Sequence, residues 1–275
     1  MNRVAAIQMA SSPNVGANLT EAARLISRAV DAGAQLVVLP ENFAHMGMKE
    51  PDKLAVQEAY GSGQIQNFLA TQADKHRVWI VGGTIPIKSD DAKRVRAACL
   101  LYNERGKVVA RYDKIHLFDV KIHESGETYI ESQTIEPGKE IVVVDTPFGR
   151  LGLAVCYDLR FPELFRRMVN EKVEVIAIPS AFTATTGRAH WETLIRARAI
   201  ENLSYVIAAA QGGYHINGRE THGDSMIVDP WGKILDRLPR GSGFVVANMN
   251  LDFLRQVRRN FPTLEHRRIP CELQT

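Results

Sequence analysis

Cysteine is scarce in this chain: Cys99, Cys156 and Cys271 are the only three among 275 residues. They lie far apart, their number is odd and no CxxC occurs. A disulfide framework and a thiolate zinc cluster are therefore not indicated, and a reducing, cytoplasmic setting is expected. HExxH, GxGxxG and GxxxxGKS/T are also missing, so no motif points to a catalytic zinc, a dinucleotide or a nucleotide phosphate. No run of about 18 uninterrupted apolar residues exists, and no membrane span is expected. The opening MNRVAAIQMASS has one arginine, and Gln8 interrupts its short apolar stretch; it reads as a strand and not as a signal peptide. A dense basic block is lacking too. The net charge of +3 is spread along the chain. Its most basic stretches, LFRRM and EHRRIP, are short, broken by apolar residues and read as solvated faces. No nucleic-acid or membrane partner is expected.

What is present is an ordinary globular balance, 45% hydrophobic and 24% charged, enough for one large domain or two small ones. Short apolar runs alternate with helical patterns. Residues 3–9 read as a strand. NLTEAARLISRAVDAGA carries apolar residues at Ala22, Leu25, Ile26 and Ala29, with Asn18 as its N-cap and a stop at Gly33. QLVVLP (35–40) is a buried strand, residues 64–76 a helix, and VWIVGGTIP (78–86) a strand. Two strands flank a glycine turn over 98–113. Residues 115–140 show no clear period, and so long an irregular stretch reads as a functional loop. A hairpin through TPFG spans 140–158, followed by a helix with Pro162 in its first turn. A strand at 173–181, the helix AHWETLIRARAIEN and the strand SYVIAAAQ come next. A Pro-Trp-Gly hairpin, the strand GFVVANMN and a helix beginning LDFLRQVRR complete the pattern. The alternation predicts one α/β domain over 1–275, with a mixed sheet or a pair of sheets covered by helices. Periodicity is compatible with either.

In α/β proteins, ligands collect beyond the carboxyl ends of strands. There this chain places Glu41, Lys114, Cys156 and Ser180. In LAVCYDLRFPEL the thiol stands where an apolar run stops and charge begins. A thiol of unperturbed pKa about 8.5 is only a few per cent thiolate at neutral pH. A neighbouring carboxylate can take its proton as the sulfur attacks a carbonyl carbon. An ammonium can stabilise the oxyanion, aided by the Tyr157 N–H at the strand-to-helix turn. Collapse releases an amine and leaves a thioester, which water activated by the same carboxylate hydrolyses. Each residue also has a plainer reading. Cys156 could be a small buried hydrophobe, Glu41 a loop acid and Lys114 a solvated strand-end lysine. Spacing alone does not choose.

LPENF at 39–43, RYDKIHLFD at 111–119 and GLAVCYDLRFPEL at 152–164 resemble the three signature segments of the nitrilase, or carbon–nitrogen hydrolase, superfamily. The resemblance extends from the AAIQM strand to the FPTLEHRR tail. It implies an α-β-β-α sandwich, two mixed sheets flanked by helices, with no metal or organic cofactor and a homodimer or larger homo-oligomer. It implies Glu41 as general base, Lys114 as oxyanion stabiliser and Cys156 as nucleophile. A second glutamate, best aligned at Glu131 ahead of Glu127 and Glu136, would keep Lys114 charged and oriented. Residues 181–213 resemble the Nit branch, and AAAQGG with RRNFPTLEHRR resembles its deaminated glutathione amidases. The implied activity is hydrolysis of a small carboxylated primary amide through a cysteine thioester, releasing ammonia. An ω-amidase acting on 2-oxoglutaramate, a carbamoylase and a nitrilase are alternatives; an inactive interaction module of the same fold is one from another class. A carboxylated substrate calls for a guanidinium. Arg160 is the candidate, with an ion pair to Glu163 or Asp158 as its other reading. Thr185, Thr186 and His190 lie in a segment that borders the pocket in this family, although His190 could cap the next helix. Trp191 and Trp231 read as packing residues. Gly223-Asp224-Ser225 stands where the family commonly has Gly-His-Ser.

Overall fold

The segment NRVAAIQ sends alternate side chains into two different cores: Val4 and Ala6 into one, Ala5 and Ile7 into the other. A strand buried on both faces needs a covering layer on each side, and the chain supplies both. The computed structural model describes residues 2–123 and 126–269, so Cys271 lies outside the described residues. Its first sheet has seven strands. Gly243–Met249, Asn2–Gln8, Leu36–Val38, Trp79–Val81 and Val95–Tyr102 follow one another across it, with Ile85–Lys88 and Val108–Asp113 also paired to Val95–Tyr102. The second sheet has six strands, in the order Ile234–Leu238, Ser225–Val228, Tyr205–Ala210, Val175–Ser180, Gly149–Leu153 and Val143–Thr146. Both are mixed. Asn2–Gln8 runs parallel to Leu36–Val38 and antiparallel to Gly243–Met249, and Val175–Ser180 is parallel to both its neighbours.

The helices close the outer faces. Helices α1 (Val15–Asp31) and α2 (Gln64–His76) place Leu25, Ile26, Ile65 and Leu69 in one core with Ile7 and Val37 of the first sheet. Helices α3 (Pro162–Asn170) and α4 (Ala184–Asn202) bury Phe165, Met168, Trp191 and Ile195 with the second sheet. Helix α5 (Leu251–Asn260) buries Leu254 and Val257. The architecture is the expected α-β-β-α sandwich, and the choice between one sheet and two falls to two.

Several local expectations need correction. Asn14, not Asn18, caps α1, accepting the Ala17 N–H at 2.9 Å. Asn18 is buried one turn inside the helix, where its amide donates to Ser12 O at 2.7 Å and Ala44 O at 2.8 Å. VWIVGGTIP is not one strand. It breaks at Gly82 and Gly83, and Gly83 has φ +57°. Helix α4 begins at Ala184 with Thr183 as its cap, five residues before the expected start. Gly187 obscured that start: the helix takes a glycine there because His222 packs where a side chain would stand. His190 is consequently inside the helix and caps nothing. Residues 115–140 contain a short hairpin, Asp119–Lys121 with Thr128–Ile130, and a 3-10 turn at Glu131–Gln133. Trp191 is fully buried, but Trp231 is 60% exposed and stacks edge-on against Phe261.

Candidate active site

Strand ends from both large sheets meet at one cavity. Glu41 follows the strand Leu36–Val38, and its backbone carbonyl accepts a hydrogen bond from Gln211 Nε2 at 3.0 Å. Lys114 follows Val108–Asp113, anchored by its N–H to Ala97 O at 3.1 Å. Glu131 opens the 3-10 turn after Thr128–Ile130. Cys156 opens another after Gly149–Leu153, in a left-handed conformation at φ +48°. Asp158 braces that turn. It is fully buried and accepts hydrogen bonds from the Val155 N–H at 2.8 Å, the Tyr112 hydroxyl at 2.7 Å and the His116 N–H at 3.1 Å. The His116 ring stacks on Phe161 with centroids 3.8 Å apart. The sequence reading weighed Asp158 only as an ion-pair partner. The signal for its bracing role was an acid placed to accept the N–H that precedes the cysteine.

Lys114 Nζ donates to Glu41 Oε1 at 2.8 Å and to the Glu131 carboxylate at 2.8 and 2.9 Å. All three groups are nearly free of solvent contact. The Phe118 N–H donates to Glu131 Oε2 at 2.7 Å and orients that carboxylate. Of the alternatives for the second glutamate, Glu136 pairs with Arg96, and Glu127 accepts the Tyr129 hydroxyl at 3.0 Å. Burial alone would raise the Glu41 carboxyl. The Lys114 ammonium, with hydrogen bonds from Lys114 and Cys156, outweighs it and holds Glu41 below the ordinary carboxylate range. Burial would likewise lower Lys114, but the charges of Glu131 and Glu41 hold it well above its ordinary value. Burial and the Glu41 charge push the Cys156 thiol up, against the opposing pull of Lys114 and a hydrogen bond from the Ala181 N–H at 3.5 Å. These shifts favour the neutral thiol at Cys156, the carboxylate at Glu41 and the ammonium at Lys114. The site can take a proton from sulfur at the moment of attack and stabilise negative charge on a neighbouring oxygen.

The cavity over these groups has a volume of about 500 Å³. Tyr157, Arg160 and Thr186 line it, whereas Thr185 and His190 are not among its lining residues. His190 touches it only indirectly, with Nδ1 3.1 Å from Arg160 Nη1. The Arg160 guanidinium lies over the Phe182 ring, 5.1 Å from its centroid. Missed from sequence were the lining residues Glu50, Lys53, Tyr129 and Arg219. They stand on segments that pack together only in three dimensions. A second, outer chamber of about 910 Å³ shares Asn42, Glu50, Lys53, Tyr129 and Arg219 with the first. Asp224 lines neither. Its carboxylate is bound to Arg237, with Nη2 to Oδ2 at 2.8 Å, and its carbonyl accepts Trp191 Nε1 at 2.8 Å. The departure from Gly-His-Ser therefore belongs to the scaffold behind α4 and not to the pocket wall.

The carbon–nitrogen hydrolase profile matches residues 3–259. A deaminated glutathione amidase of Synechocystis sp. is 46% identical over 266 residues, 96% of this chain and 97% of that protein. The deaminated glutathione amidase of Homo sapiens is 39% identical over 269 residues, 96% of this chain and 82% of that protein. Among solved structures, the NitFhit protein of C. elegans superposes with a TM-score of 0.90 at 37% identity, covering 97% of this chain and 65% of that one. Saccharomyces cerevisiae Nit3 superposes with a TM-score of 0.85 at 31% identity, covering 95% and 94%. With a profile spanning nearly the whole chain and relatives this similar, the chain belongs to the carbon–nitrogen hydrolase family.

Proposed function

We propose that this chain is a thiol amidase, working without metal or organic cofactor, that hydrolyses a small carboxylated amide, with deaminated glutathione as its preferred substrate. The observation that carries the mechanism is Lys114 held 2.8 Å from both Glu41 and Glu131 beside a buried thiol. The substrate preference follows the curated relatives, which are deaminated glutathione amidases at 39–46% identity. The assembled charge triad speaks against an inactive module of the same fold.

The steps follow from the geometry. Cys156 Sγ attacks the amide carbon while its proton passes to Glu41. The carbonyl electron pair moves to oxygen, and that oxyanion is stabilised by Lys114 Nζ and the Tyr157 N–H; losing one such donor typically costs about 100- to 1000-fold. Glu41 then protonates the leaving nitrogen as the C–N bond breaks, and a thioester remains. The departing amine is ammonia for a primary amide. For deaminated glutathione the expected primary amide and ammonia are corrected: the scissile nitrogen belongs to the cysteinyl residue, so the bond is a secondary amide and the departing amine is cysteinylglycine. Glu41 next takes a proton from water, hydroxide adds to the thioester, and collapse releases the acid and restores the thiol. Glu131 keeps Lys114 charged and aimed. Arg160 is assigned to the carboxylate at the acyl end of the substrate, with Thr186 beside it.

The reading carries with it one domain across the chain, a homodimer or larger assembly, and a cytoplasmic location. Among the described residues no helix is long and apolar enough to cross a membrane. The decisive experiment follows amine release from deaminated glutathione beside 2-oxoglutaramate, together with mass spectrometry of the protein during turnover. A higher kcat/KM for deaminated glutathione and an acyl adduct on Cys156 are expected. Equal or better use of 2-oxoglutaramate would overturn the substrate assignment. Turnover without any adduct-competent Cys156 would overturn the mechanism.

A further inference from the structure

Arg219 stands by the short hairpin of Gly212–Tyr214 with Glu220–His222. It lines both the catalytic cavity and the outer chamber, whereas Arg160 lines only the first. Its Nη2 donates to Ala181 O at 2.8 Å, the carbonyl of the residue whose own N–H donates to Cys156 Sγ. Its guanidinium lies over the Tyr129 ring, with Cζ 5.0 Å from the centroid. These two contacts fix the plane of the fork. The hairpin is itself pinned across the chamber, since Asn217 Nδ2 donates to Gly47 O at 2.7 Å. Yet Arg219 Nε is buried and has no hydrogen-bond partner. A buried donor on a charged group is costly to leave unmet, and native structures rarely do so without a reason. The lysines of the same cavity are not in that state. Lys114 is met by Glu41 and Glu131, and Lys53 by Glu50 at 2.6 Å.

The geometry points to Arg219 as the anchor for a carboxylate carried on the amine side of the scissile bond, seated in the outer chamber. This rests on the amidase reading and deepens it. The acyl half of the substrate occupies the inner cavity, where Arg160 and the triad lie. The leaving group then extends past Asn42 and Tyr129 into the outer chamber. A planar guanidinium held on a rigid support beside the chamber suits a carboxylate better than an ammonium would. Two acids face Arg219 there: Glu50, already bound to Lys53, and Glu127, which accepts the Tyr129 hydroxyl. The site therefore selects amides whose nitrogen carries a short acidic, dipeptide-like arm over primary amides.

Three substrates test this: deaminated glutathione, the same compound with its terminal glycine carboxylate capped as a carboxamide, and 2-oxoglutaramate. With wild-type protein, capping should lower kcat/KM by about tenfold or more, the range of a charge-assisted hydrogen bond. Arg219→Gln should lose a similar factor on the uncapped substrate relative to 2-oxoglutaramate, and capping should then cost it nothing further. Arg219→Lys should recover part of the loss. If capping is harmless in the wild type, the inference falls, whether or not either variant folds. It falls equally if Arg219→Gln leaves the capping factor intact, since Arg219 would then act on all three substrates alike through structure. Failure of the wild type to hydrolyse any of the three would overturn the amidase reading, and this inference with it.

Discussion

Cys156 sits in a left-handed backbone conformation that costs a residue with a side chain roughly 1–2 kcal/mol. That turn lifts the thiol out of the apolar strand and into the cavity, and the hydrogen bonds to Asp158 hold it there. In the proposed mechanism a proton stays on sulfur until Glu41 takes it. Cys156→Ala should abolish turnover while circular dichroism stays unchanged, and EDTA should have no effect on the wild type. Retained turnover in the alanine protein would sink the nucleophile assignment. Glu41→Gln should lower kcat by about 100- to 10,000-fold, the usual contribution of general acid–base catalysis. Because Glu41 is held below its ordinary 4.5, the carboxylate persists to lower pH than that. The acidic limb of kcat/KM should therefore lie below 4.5; a limb near neutrality would assign the base to another group.

Among elements, the decisive ones are breaks and turns. The strand reading of VWIVGGTIP missed Gly83, which sits at positive φ under the Pro40 carbonyl, one residue before Glu41. A side chain at position 83 would collide with that carbonyl. Gly83→Ala should lower kcat as well as thermal stability, since it displaces the strand end that carries Glu41, the proposed base. A stability loss with unchanged kcat would show that the strand end absorbs the push. Asn14→Ala removes the true cap of α1 and should cost about 1 kcal/mol by denaturant titration, with no effect on turnover. These features were hard to read because caps, turns and breaks use the same small set of residues. Asn14 and Asn18 are both plausible caps in one dimension, and the amide contacts of Asn18 lie across the fold at Ala44.

For the whole molecule, buried carboxylates set the response to acid. Burial raises Asp224, but hydrogen bonds from His222 and Arg237 outweigh it and hold Asp224 below its ordinary 3.8. Glu41 is likewise held below its ordinary value. A carboxyl lowered on folding contributes stability above its unfolded pKa and loses it as pH falls through the folded value. Unfolding free energy should therefore be steady across the neutral range and fall below about pH 4, checked by denaturant titrations at successive pH values. Asp224→Asn should cost about 2 kcal/mol at neutral pH and flatten that acid limb. The Arg237 side chain is 38% exposed, so the charge left behind still reaches solvent and the loss stays moderate. An unchanged acid limb in this variant would remove Asp224 from the account.

The sequence by itself determined the alternation of elements and put Glu41, Lys114, Cys156 and Ser180 at strand ends, because each is a local pattern of apolar run, stop and polar residue; the resemblance singled out the first three. It also pointed to Glu131 over its neighbours, through the resemblance. Periodicity could not choose between one sheet and two, since a strand buried on both faces reads the same in either arrangement; the resemblance implied two, and the tertiary structure has two. That structure alone joined Asp158 to Tyr112 and His116, left Thr185 and His190 off the cavity wall, and brought Arg219 and Glu50 onto it. Asp158, Arg219 and Glu50 stand on separate segments, and what joins them is packing between elements distant in sequence, which no local pattern records.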